Sequence, residues 1–190
     1  SNSGTCTSCP VGFVQVAGGQ ASCEECSKGQ FQDEPEKFAC ESCPIGFKQS
    51  ATGQGDCSAC PVGWAQSANG QSTCLVCVEG TYADATEASS CQSCPAGFEQ
   101  SASGQGDCSA CPIGWAQSAN GQSTCLVCVE GSYADAIKAS SCESCPAGYE
   151  QSTAGEGACD ACALDTFAVG SGTASCIVCP SGWVTMSTTS

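Results

Sequence analysis

A Cys-x-x-Cys pair begins at residues 6, 23, 40, 57, 74, 91, 108, 125, 142, 159 and 176, every step being seventeen residues with no insertion or deletion. Eleven such units tile almost the whole chain. A clock this strict confines the fold to a tandem array, in which each unit is held by its own bonds and by its neighbours. A longer period lies above it, because residues 57–107 and 108–158 differ at only ten of 51 positions, a superrepeat of three units. The expectation is one continuous cysteine-rich array over residues 1–190, without an internal boundary and cut from something longer.

Within a unit the common pattern is CxxCPxGaxQSAxGQxx, where "a" is aromatic. The first glycine recurs as Gly12, Gly29, Gly46, Gly63, Gly80, Gly97, Gly114, Gly131, Gly148 and Gly182, and Asp165 alone replaces it. Asp tolerates the left-handed backbone region, so the column predicts a positive φ in a tight turn. The aromatic follows a second rule. Where proline follows the CxxC, the ring comes directly after the glycine (Phe13, Phe47, Trp64, Phe98, Trp115, Tyr149, Trp183); without proline it comes one residue later (Phe31, Tyr82, Tyr133, Phe167). The expectation is two backbone variants of one loop, the ring shifting register to cover the same disulfide; duplication history without packing meaning is the alternative. Gly and Pro recur too often for a helix, so short two-stranded ribbons joined by turns fit better.

Burial cannot supply the stability. Leu, Ile, Val and Phe make up 24 of 190 residues, below the roughly 20% under which highly charged chains are usually disordered. The 22 cysteines must supply what a core does not. Two CxxC pairs thirteen residues apart, as in "CSACPVGWAQSANGQSTCLVC", match the spacing of four-thiolate zinc modules. Eleven pairs do not divide evenly into such sites. A redox CxxC needs a helix N-terminus or a positive neighbour to lower its thiol pKa, and this acidic, helix-poor chain provides neither in eleven copies. Covalent staples in an oxidising compartment explain the whole set. Counts leave their connectivity open, and pairing inside each CxxC is the alternative disfavoured by its small strained ring.

The unit "CPVGFVQVAGGQASC" resembles the elementary loop of ephrin-receptor-like and tumour-necrosis-factor-receptor-like cysteine-rich repeats. That resemblance implies bonds Cys9 to Cys23, Cys26 to Cys40, Cys43 to Cys57, Cys60 to Cys74, Cys77 to Cys91, Cys94 to Cys108, Cys111 to Cys125, Cys128 to Cys142, Cys145 to Cys159 and Cys162 to Cys176. Cys6 and Cys179 are left over. The chain departs from the family in keeping one loop type throughout, and four units lack the proline. The fold class expected is a small disulfide-rich one, mostly loops and short β-ribbons, drawn out as an elongated rod of eleven seventeen-residue units.

The net charge of -15, with four lysines, no arginine and no histidine, excludes nucleic acid as a partner and disfavours anionic membranes. No run of apolar residues is long enough to span a bilayer, so direct membrane insertion of this segment is not expected. There is no G-x-S-x-G turn or phosphate-binding loop, so an enzyme is not expected, nor any cofactor or metal. Asp33, Glu34, Asp84 and Asp135 lie in separate units and make no EF-hand loop. None of Asn2, Asn69 and Asn120 begins an N-glycosylation sequon, while abundant Ser and Thr leave O-glycans open. The expected role is extracellular or cell-surface: structural material for a rod, stalk, sheath or filament that associates with itself. The apolar CxxC interiors Leu75, Val76, Leu126, Val127, Ile177 and Val178 form a candidate contact stripe. Local cover for a disulfide is the other use for them. The rival function is a ligand-binding receptor ectodomain.

Overall fold

The computed structural model describes residues 6–185. Its regular structure is ten two-stranded ribbons of two residues per strand, with no helix among the described residues.

The loop opened by Cys60 shows how the sequence makes one ribbon. The Pro61 carbonyl accepts from the Trp64 N–H at 3.0 Å, closing a four-residue turn. Its third residue, Gly63, has φ +81°, the value a type II turn demands there. The chain then runs out through Trp64–Ala65 and returns as Leu75–Val76, the two residues inside the next CxxC, with Trp64 opposite Val76 and Ala65 opposite Leu75. Cys77 N–H donates to the Gly63 carbonyl at 2.9 Å. Turn, ribbon and disulfide thus fall within one period of the sequence.

The described chain groups into two compact units, the first comprising the described residues up to Val78, with Tyr82–Gln92 and Ser103–Asp107. Within it, the N–H groups of Gly12, Gly29, Gly46 and Gly63 donate to the carbonyls of Gln32, Gln49, Gln66 and Ala83 in the next loop, at 2.8–2.9 Å. In return, the N–H groups of Glu36, Gly53, Gly70, Glu87 and Gly104 donate to the carbonyls of Cys9, Cys26, Cys43, Cys60 and Cys77, at 2.7–3.2 Å. Loops two steps apart also touch. A Cβ built on Gly12, Gly29, Gly46 or Gly63 would lie far inside contact distance of the carbonyl of Gly53, Gly70, Glu87 or Gly104.

The second unit, Glu79–Thr81, Ser93–Ala102 and the described residues from Cys108 on, follows the same rules within itself. Gly80, Gly97, Gly114 and Gly131 donate to Gln100, Gln117, Ala134 and Gln151, and a Cβ on any of them would strike the carbonyl of Gly121, Lys138, Gly155 or Gly172. The glycine column therefore answers two demands: a left-handed φ and a close backbone approach from the loop two steps on. Asp165, at φ +62°, meets the first demand.

The carbonyls that stack on this column belong to a second left-handed column, mostly glycine but Glu36, Glu87 and Lys138 in three loops, at φ 64–66°. A side chain is tolerated there at the cost of its backbone conformation. Glu87→Gly is therefore expected to raise stability by about 0.5–1 kcal/mol, the relief of left-handed strain less the extra freedom of the unfolded glycine, measured by equilibrium denaturation.

The two loop types share one backbone, contrary to the expectation of two. In the proline-less loop opened by Cys128, Ser132 N–H donates to the Val129 carbonyl at 3.0 Å, the same turn that Pro61 makes. The strand register is also the same, Ser132 opposite Ser144 and Tyr133 opposite Glu143. Proline contributes a carbonyl that any residue can contribute, so its loss forces no new backbone. What changes is the ring's side of the ribbon, since adjacent strand residues face opposite ways. Rings directly after glycine look toward the loop two steps on: Lys138 Nζ lies 5.2 Å from the centre of the Phe98 ring. Rings one residue later stay on their own ribbon, as Tyr133 Oη donates to Glu143 Oε2 at 3.0 Å.

Sulfur occupies the interior. Among the described residues the largest fully buried side chains are Cys26, Cys43, Cys60, Cys77, Cys94, Cys111, Cys128, Cys145 and one polar residue, Gln32.

Candidate functional site

Ten disulfides, each spanning fourteen positions, join Cys9–Cys23, Cys26–Cys40, Cys43–Cys57, Cys60–Cys74, Cys77–Cys91, Cys94–Cys108, Cys111–Cys125, Cys128–Cys142, Cys145–Cys159 and Cys162–Cys176. These are the pairs the resemblance implies, and all twenty sulfurs are brought together. Cys6 and Cys179 carry free thiols. No group of three or more metal-ligating side chains exists among the described residues.

A second staple lies inside the loop, and the sequence pattern contained it without revealing its task. Gln66 is buried; its Nε2 donates to the Thr73 carbonyl at 2.7 Å and its Oε1 accepts from the Ala68 N–H at 3.0 Å. Gln32, Gln49, Gln117 and Gln151 make the same two bonds, clamping the start of the loop to the residue before its closing cysteine. The recurrent Gln three residues after the column glycine was the available signal. Gln66→Ala strands two main-chain groups and is expected to lower stability by about 2 kcal/mol, read by thermal or denaturant unfolding.

The contact stripe divides into two parts. Val76 and Val127, the cross-strand partners of Trp64 and Trp115, turn toward the loop two steps on: a Cβ on Gly104 would touch Val76 Cγ2 at 3.3 Å, and one on Gly155 would touch Val127 Cγ2 at 3.2 Å. Leu75 and Leu126 point away, 62% and 63% exposed, while Ala65 and Ala116 opposite them are buried. Val78 and Val129, exposed to 60% and 65%, follow three residues after the leucines. In the second unit a shallow hollow of about 280 Å³ is lined by Leu126, Val127 and Val129 together with Ser140, Ser141 and Cys142. Ile177 and Val178 are exposed as well.

Charge is spread along the loops. Glu99 Oε2 accepts from the Cys125 N–H at 2.8 Å, and Glu150 does the same for Cys176, so some carboxylates cap the closing strand. Lys37 pairs with Glu34. The hydrogen bond and charge of Lys37 hold the Glu34 carboxyl below its usual value, while Glu34 raises the lysine. The Tyr133 phenol is raised, first by its bond to the Glu143 carboxylate and then by that group's charge.

A disulfide-closed loop repeated at a fixed period, with ribbon, turn and staples all inside it, defines a cysteine-rich tandem-repeat protein. The family model described as tyrosine-protein kinase ephrin type A/B receptor-like matches residues 1–37, 63–102, 80–118, 97–145 and 114–158, and the chain belongs to that family. No curated protein matches the chain. The family's repeat is a non-catalytic, extracellular module, and ten disulfides agree with an extracellular location. No helix among the described residues is long and apolar enough to cross a membrane.

Proposed function

We propose that the chain is a structural component of the extracellular space, material for a stalk, sheath or filament that associates with copies of itself. The observation that supports this most is the repetition of the same loop-to-loop bonding at four successive column glycines in each unit, Gly12 to Gly63 and Gly80 to Gly131, donor glycine to the next loop and stacked glycine to the one beyond. A surface made this way offers the same features again and again, which suits self-association more than recognition of one ligand. Leu75 with Val78, and Leu126 with Val129, are the side chains offered for that contact, being exposed apolar pairs that stacking leaves uncovered. Family membership favours a second function, the ligand-binding ectodomain of a receptor.

Sedimentation of the purified, oxidised chain over a range of concentrations, with electron microscopy of the same samples, separates the two. Concentration-dependent assembly that Leu75→Glu/Leu126→Glu weakens by tenfold or more, about 1.4 kcal/mol, supports the structural role. A chain that stays monomeric throughout and captures a soluble protein ligand defeats it.

A further inference from the structure

We propose that Asn69–Gly70 and Asn120–Gly121 are latent deamidation sites that loop stacking holds shut, so that amide loss at either one records local opening of the array. Asparagine followed by glycine is the pair most open to this reaction, because no Cβ shields the glycine nitrogen. That nitrogen attacks the asparagine Cγ and gives up its proton. A new N–C bond forms, the bond to the side-chain nitrogen breaks, and ammonia leaves. Water then opens the cyclic imide to aspartate or isoaspartate, and nothing is oxidised or reduced.

In the folded chain the attacking nitrogen is committed elsewhere. Gly70 N–H donates to the Cys43 carbonyl and Gly121 N–H to the Cys94 carbonyl, both at 2.8 Å, with φ fixed at +71° and +72°. At the second site the asparagine is held too, its Oδ1 accepting from the Ala96 N–H at 2.9 Å. The carbonyls of the same two glycines are those stacked on Gly29 and Gly80. Ring closure therefore requires the loop to leave its neighbours. Isoaspartate would put an extra main-chain carbon beside the stacked carbonyl, so an opened and modified loop could not settle back. This lies outside the structural or receptor role and holds for either.

The test incubates the oxidised full chain and the reduced, unfolded chain side by side and follows deamidation at each asparagine by peptide mass spectrometry. Both sites are expected to react at least about tenfold more slowly in the oxidised chain, since a reaction needing an opened segment scales with the open population. Gly80→Ala is expected to accelerate Asn120 and spare Asn69; Gly29→Ala should do the reverse. Equal rates in oxidised and reduced chains overturn the proposal, as does either variant accelerating both sites alike. The comparison of wild-type chains stands even if a variant fails to fold.

Discussion

Gly114→Ala is expected to destabilise the second unit by about 3–5 kcal/mol, whereas Gly148→Ala costs about 1–2 kcal/mol. Both glycines are left-handed, at φ +82° and +86°, so both substitutions carry the same conformational strain. They differ in what the new methyl meets. At Gly114 it would be driven into the carbonyl of Gly155, which is main chain and cannot rotate aside; at Gly148 nothing described lies within 4 Å. The difference between the two variants, measured by denaturant unfolding with hydrogen exchange to locate the loss, isolates stacking from φ. Equal costs would mean that the column is glycine for its turn alone.

Reduction is expected to unfold both units altogether. A fifteen-residue ring closed by a disulfide is worth roughly 3 kcal/mol through the unfolded chain, and ten such rings are present. Little else resists: among the described residues the largest fully buried side chains are cysteines and one glutamine. Replacing Cys111 and Cys125 together by alanine should cost about 3 kcal/mol and loosen chiefly the loops bonded to that one, those opened by Cys94 and Cys128. Loss of ordered sedimentation and amide protection on reduction checks the first claim, and exchange mapping of the double variant checks the second. A reduced chain that keeps its amide protection would refute the sulfur interior.

The period, the ribbons and the left-handed glycine were legible because each is written within seventeen residues. Asp165 was enough to expose the φ requirement, as its own +62° shows. The stacking was not legible. Gly12 and the carbonyl it receives, that of Gly53, are 41 positions apart, and in other loops the equivalent carbonyl belongs to Glu87 or Lys138, so no residue type marks the partner. The ring shift was visible as a rule and misassigned as backbone. A turn whose first residue only offers a carbonyl is indifferent to proline, and composition cannot display that indifference. The contact stripe was legible as apolar, but the pleat that turns Val76 toward the stack and Leu75 away from it depends on register, which the cysteine spacing alone does not specify.

The disulfides also set how the chain carries load. Tension entering at Cys9 crosses directly to Cys23, passes through Glu24 and Glu25, and crosses again from Cys26 to Cys40. The thirteen residues inside each ring are bypassed. With Cα atoms 5.7 and 5.6 Å apart across these two bonds, the pulled length is about 16 Å per period, against roughly 58 Å for the same residues with the sulfurs reduced. In the oxidised chain the length held inside the rings is thus locked away, and the surrounding redox state decides whether it can be drawn out.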